Sequence, residues 1–168
     1  IYQNFGMETT VLRLFNVYGP GQDLDNLRQG MVSIYMAFVV RNEELLVKGS
    51  KDRFRDFIYI EDVVDAFYLC LDKKASGKIY NVATGRKTFV WQLIDQIMVV
   101  FGYALGSYPV TYGDPTIQDQ FGLYGNSKLI HRELGWEPKT SLEEGIRMMS
   151  EWAKEYIDSQ KRIGKSMA

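Results

Sequence analysis

Residues 9–15, TTVLRLF, are β-branched and apolar and run into Asn16-Val17-Tyr18-Gly19-Pro20-Gly21. Such a run fits a buried strand, and glycine with proline behind it forces a turn. Similar joins recur along the chain, so strands and helices are expected to alternate through one α/β unit. Ligands in open α/β sheets collect at the carboxyl ends of strands. Asn16 therefore stands where a binding residue is expected, or it simply makes the turn. Spacing alone leaves both readings open.

Residues 30–41 are apolar almost all round and predict a buried helix, with a short strand at 45–48 after it. Residues 54–60, FRDFIYI, predict another strand that runs without a break into a helix opened by Glu61 and Asp62. Those acids suit the positive end of the helix dipole and Lys73 and Lys74 the negative end, with Gly77 beyond. Val63, Ala66, Phe67, Cys70 and Leu71 share one face of it. Residues 78–83, KIYNVA, predict a strand. Thr88 is expected to cap a helix that buries Val90, Leu93, Ile94, Ile97, Met98 and Phe101 and stops at Gly102. Residues 109–112 are a candidate strand, and Ser127 opens a short helix that ends at Gly135. Ser141 and Glu144 form a capping box for the last helix, whose inner face is Leu142, Ile146, Met149, Ala153, Tyr156 and Ile157. The polar tail from Gln160 is expected to fray. No repeat or linker divides the chain, so residues 1–168 are expected to form a single unit.

Composition excludes several classes. Twenty basic residues against 21 acidic ones leave a charge of -1, which offers no general grip on nucleic acid or an anionic membrane. The longest apolar stretch, residues 31–40, is about half of the ~20 residues that cross a bilayer. The single cysteine, Cys70, allows no internal disulfide, reads as a small core residue and fits a reducing, cytoplasmic compartment. With one histidine it cannot make a zinc site, and His131 reads as a surface residue. No Gly-rich phosphate loop, catalytic carboxylate pair or nucleophile with its base stands out. The chain opens on Ile1, so a preceding segment is expected.

Residues 12–22, LRLFNVYGPGQ, resemble a signature of the extended short-chain dehydrogenases, the NAD-dependent epimerase/dehydratase family. Three further stretches match in order: 49–67 with its Arg-Asp-Phe-x-x-x-x-Asp run, 78–85 (KIYNVATG) and 127–145 (SKLIHRELGWEPKTSLEEG). The resemblance, closest in kind to UDP-glucose 4-epimerase, implies an α/β fold: the C-terminal substrate-binding domain plus the last strands of a Rossmann-type sheet. In this family the amino-terminal half binds NAD through a Gly-x-x-Gly-x-x-Gly loop and carries a Ser or Thr with a Tyr-x-x-x-Lys pair. None of that set is expected here, so the chain alone is expected to be inactive.

Residue by residue, the resemblance puts Asn16 at the substrate diphosphate, Phe15 beside the nicotinamide, Met31 and Val32 along the nucleotide base, and Asp119 at the ribose. Arg55 matches an arginine that grips the diphosphate, which suits its planar fork. The alternative for Arg55 is an ion pair with Asp56 or Glu61. Thr116 stands where the family often has a second diphosphate arginine, and the spacing from Asp119 to Lys128 is one residue short. The implied activity is epimerisation at C4 of a UDP-hexose by transient oxidation, a tyrosine taking the hydroxyl proton and NAD the hydride. Rivals are a sugar-nucleotide 4,6-dehydratase and a non-catalytic sugar-nucleotide-binding module. The full-length family members imply a homodimer.

Overall fold

The computed structural model describes residues 6–28, 30–115 and 120–166. Eight short strands and five helices alternate among them. In order they are β1 (Val11–Leu14), β2 (Asn16–Tyr18), α1 (Met31–Val40), β3 (Leu45–Lys48), β4 (Phe54–Arg55), β5 (Phe57–Tyr59) and α2 (Ile60–Leu69). A 3-10 turn (Lys73–Ala75), β6 (Ile79–Val82), β7 (Thr88–Phe89), α3 (Val90–Val100), β8 (Val110–Gly113), α4 (Lys128–Leu134) and α5 (Leu142–Ser166) complete it. Strands pair in twos: β1 with β6, β2 with β5 and β3 with β8 in parallel, β4 with β7 antiparallel.

The expected strand and turn at the start divide differently. Residues 16–18 are not turn but strand, with Asn16 opposite Phe57, so the chain leaves one sheet pair at Phe15 and joins another. The turn comes only at Pro20 and Gly21. Nor is β1 a buried strand: Val11 and Leu14 are 49% and 42% exposed, and only Leu12 packs inward. Among the described residues β1 has one strand neighbour, so one face and one edge stay open.

The 54–60 strand is interrupted at Asp56, whose side chain is fully buried, and resumes as β5 before passing directly into α2. That helix ends at Leu69, short of Lys73 and Lys74, because the chain tightens into the 3-10 turn, whose Lys74 N–H bonds the Asp72 carboxylate at 2.9 Å. Val63 and Ala66 are buried, but Phe67 and Leu71 are 54% and 79% exposed, so the expected apolar face is only half used. Thr88 does not cap α3: it pairs with Arg55, and the Gln92 side chain caps the helix by accepting the Phe89 N–H at 2.9 Å. The polar tail from Gln160 continues α5 to Ser166.

Two cores result. The larger gathers α1, α3 and α5 around β2, β3 and β5, with Tyr18, Met36, Leu45, Leu93, Ile97, Ile146 and Met149 buried. The smaller packs α2 and α4 on β6 through Ile58, Val63, Tyr80, Val82, Ile130 and Trp136. Asp62, buried at the start of α2, joins them: its carboxylate accepts the Lys139 and Thr140 N–H groups at 3.0 and 3.1 Å, and its carbonyl accepts the Trp136 indole at 2.9 Å. The two ends of α4 follow the sequence reading, with Gly135 left-handed at φ 70.

Candidate functional site

Asp56 organises the centre. Its Oδ1 accepts the Thr84 N–H at 2.9 Å and hydroxyl at 2.5 Å, and its Oδ2 accepts the N–H groups of Gly85 at 2.8 Å and Gly125 at 3.0 Å. A buried carboxylate is tolerable only when so satisfied. Its carbonyl accepts both the backbone N–H and the Nδ2 of Asn16, each at 3.0 Å. The break in the strand thus draws together the end of β6, the loop before α4 and the start of β2. Asn16 therefore holds structure, whatever else it binds.

Phe15 is half-buried, and its ring lies so close to Gly125 that a methyl there would sit 2.8 Å from it. Arg55 donates from Nη1 to the carbonyls of Phe54 at 2.8 Å and Phe121 at 3.4 Å. Burial first, and then the neighbouring Arg53 charge, pull its pKa below the usual arginine value. The Asp56 carboxylate, one partner considered for Arg55, is already engaged by Thr84, Gly85 and Gly125.

Met31 lies on the wall of a cavity of about 340 Å³, whereas Val32, 2% exposed, is packed into the core behind it. Leu27, Ile34, Phe38 and Leu46 make the apolar side of that cavity, with Tyr35. Arg28, Lys48 and Arg53 make the other, and no acidic side chain lines it among the described residues. Burial pushes the Tyr35 phenol up to about 12, against the opposing pull of Arg53 and Arg55, so it stays a neutral hydrogen-bonding group. Apolar walls with a few placed polar groups are the ordinary make-up of a small-molecule site. Asp119 and Thr116 lie outside the described residues.

Arg53 was missed by reading the sequence. It is 7% exposed, and the only signal was its place two residues before Arg55. Tyr124-Gly125-Asn126-Ser127-Lys128 repeats the Tyr-x-x-x-Lys spacing, which the sequence reading passed over. Tyr124 lies in a loop, and only Lys128 is helical, at the first position of α4, so the pair lacks the one-face geometry of i and i+4 on a helix. The Lys87 ammonium lies 4.6 Å from the centroid of the Tyr124 ring. Among the described residues no glycine-rich strand-to-helix loop is present, so these residues alone do not fit a dinucleotide.

Parallel strand pairs with helices packed on their faces define a mixed α/β unit of the Rossmann kind. The model of the NAD dependent epimerase/dehydratase family matches residues 1–83. The chain is 32% identical over 150 residues to a candidate UDP-glucose 4-epimerase of Methanocaldococcus jannaschii, covering 89% of this chain and 47% of that protein. It is 27% identical to the human dTDP-D-glucose 4,6-dehydratase, covering 99% of this chain and 47% of the relative. The UDP-glucose 4-epimerase of Thermotoga maritima, solved with UDP-glucose, superposes with a TM-score of 0.86 at 35% identity, covering 93% of this chain and 49% of that one. The chain belongs to the NAD dependent epimerase/dehydratase family, whose members depend on NAD. It spans about half the length of the curated relatives it matches.

Proposed function

We propose that this chain is the nucleotide-sugar-binding part of an NAD-dependent epimerase that acts at C4 of a UDP-hexose by transient oxidation to a keto sugar. The observation that carries this is the cavity: apolar along Met31, Ile34 and Phe38, cationic along Arg28, Lys48 and Arg53, and without an acidic side chain among the described residues. Such a cavity suits a base at one end and phosphates at the other, and the family resemblance puts Arg55 and Asn16 at the diphosphate. Similarity to an epimerase solved with UDP-glucose supports the same substrate class. The residues here hold and aim the substrate, a positioning role that lowers the entropic cost of the reaction. Phe15 lies at the nicotinamide side, and Asp119 takes the ribose.

The 4,6-dehydratase reading has its own support in the relative matched over 99% of this chain. Epimerase and dehydratase would share this half. The remaining parts of the proposal are that residues 1–168 act as one unit, that the whole protein is a cytoplasmic homodimer, and that this chain alone does not turn over a UDP-hexose. No described helix is long and apolar enough to cross a membrane.

Titrating UDP into the chain and following amide shifts tests the binding role. Saturable shifts centred on Met31, Lys48 and Arg55 are expected. Absence of saturable binding overturns the proposal, and turnover of UDP-hexose by the purified chain overturns its division of labour.

A further inference from the structure

We propose that Tyr35 is a specificity-determining residue of the cavity, its hydroxyl hydrogen-bonding the polar edge of a nucleobase that lies against the apolar wall of α1. This rests on the nucleotide-sugar reading above and adds to it a residue that the resemblance did not assign.

Tyr35 is 4% exposed and borders the cavity. Other buried tyrosines pair their hydroxyls inside the fold: Tyr18 donates to the Leu142 carbonyl, Tyr80 to the Glu133 carboxylate and Tyr108 to the Glu43 carbonyl. That is the usual fate of a buried phenol. The Tyr35 hydroxyl has no hydrogen-bond partner among the described residues. Nor is its oxygen sealed in: the enclosed side-chain atoms without a partner among those residues are Gln22 Oε1, Ser76 Oγ and Gln96 Oε1. An unpaired oxygen that is not enclosed reaches open space, and the space that Tyr35 borders is this cavity.

The neighbours of Tyr35 decide what its hydroxyl meets. Met31, Ile34, Tyr35 and Phe38 stand at i, i+3, i+4 and i+7 of α1, so they form one stripe, and all four border the cavity. Leu46, 41% exposed on the outward side of β3, adds to the same apolar lining. A flat base laid against that stripe takes its carbonyl and N–H groups out of water, and they then need partners. A phenol can both donate and accept, and on this stripe Tyr35 is the side chain that can do either. Phosphates call for charge instead, and Arg28 and Lys48 border the same cavity. A ligand without a polar edge would leave the hydroxyl unpaired, which is how a hydrogen-bonding site discriminates against it.

The test titrates UDP, uridine and a UDP analogue carrying phenyl in place of uracil into the chain and into its Tyr35→Phe variant, followed by amide shifts. Phenylalanine keeps the ring and its packing, and loss of an unpaired hydroxyl should leave the unfolding midpoint unchanged or raised. UDP and uridine are expected to weaken by the same factor, about two- to tenfold, the scale of a neutral hydrogen bond. The phenyl analogue keeps the ribose and both phosphates but has no polar edge, so it should change by less than about twofold. A lowered midpoint would show that the hydroxyl has a partner in the fold, and it overturns the assignment. A loss for UDP with none for uridine puts the hydroxyl on a phosphate, and an equal loss for the phenyl analogue puts it on the ribose or phosphates. Either result overturns the proposal. Unchanged UDP affinity in folded Tyr35→Phe overturns it too and leaves the nucleotide-sugar reading standing. If the unaltered chain binds no UDP, that underlying reading falls, and this one with it.

Discussion

The Asp56 carboxylate accepts both the N–H and the hydroxyl of Thr84, at 2.9 and 2.5 Å, across 28 positions of sequence. That contact ties the end of β6 to the interruption between β4 and β5. Arg55 stands on one side of the interruption and Phe57 on the other. The arginine that the family resemblance places on phosphate is therefore aimed by a residue that never touches substrate in this scheme. Geometry at Arg55 depends on a buried anion one residue away.

Replacing that anion is expected to be costly. In Asp56→Asn an amide nitrogen would face either the two donors at Oδ2, Gly85 and Gly125, or the two from Thr84 at Oδ1. Leaving a buried donor unmet costs about 1–3 kcal/mol, so two unmet donors predict a loss of about 2–6 kcal/mol. Chemical denaturation reads this directly. A loss below about 1 kcal/mol would show that the loops keep their positions without the clamp.

Tyr80 and Glu133 predict a pH signature. The buried Tyr80 hydroxyl donates to Glu133 at 2.8 Å. That bond holds the Glu133 carboxyl below its usual 4.5, with Lys78 helping and partial burial opposing. Burial, and then Glu133, push the Tyr80 phenol up to about 12. For Glu133 the contribution is present above the unfolded value of 4.5 and is lost as pH falls through the depressed folded value. For Tyr80 it is present below the unfolded value of 10.0 and is lost as pH rises through about 12. Tyr80→Phe should flatten both limbs of the stability profile and raise the Glu133 pKa toward 4.5. An unmoved Glu133 titration in that variant, followed by NMR, would contradict the assignment.

Gly145 sets helix propensity against packing. It lies inside α5, where alanine is ordinarily better by about 1 kcal/mol. Here a methyl would overlap the Tyr18 hydroxyl and lie 2.8 Å from Cζ of the ring, and Tyr18 is 3% exposed with no room to swing away. Overpacking of this kind costs about 1–3 kcal/mol, so Gly145→Ala is expected to be neutral at best and destabilising by up to about 2 kcal/mol. A clear rise in thermal midpoint would mean that Tyr18 yields.

What could be read in the sequence was what local chemistry determines. Gly135 and Gly102 end their helices where expected because a left-handed stop is a property of one residue. The face of α5 is legible because its buried positions, Ile146, Met149, Ala153 and Ile157, repeat at the helical period. The strand break at Asp56 was not legible, since its donors come from residues 84, 85 and 125. Thr88 looked like a cap because threonine often is one, but pairing with Arg55 outweighed that local preference. The apolar Phe67 and Leu71 share a helical face with Val63, yet periodicity cannot say whether a partner exists to cover them. At the site, Asn16 and Met31 stood out through the family signature, while Arg53 stood outside it and emerged only as a wall of the cavity.

Arg55 offers the sharpest separation of binding from structure. If it grips a diphosphate, Arg55→Ala should weaken UDP binding by about 1.5–3 kcal/mol, roughly ten- to more than a hundredfold. Arg55→Lys should recover only part, because the fork that bonds the Phe54 and Phe121 carbonyls while facing an anion is gone. If Arg55 only secures the 121–124 segment against β4, the loss should appear instead as stability, about 0.5–1.5 kcal/mol for a hydrogen bond, with UDP affinity nearly unchanged. Measuring UDP affinity and the unfolding midpoint on one protein separates the two. The expected outcome is a large fall in affinity with a small fall in midpoint. The reverse pattern would remove Arg55 from the site and leave the Asp56 clamp without a binding residue to aim.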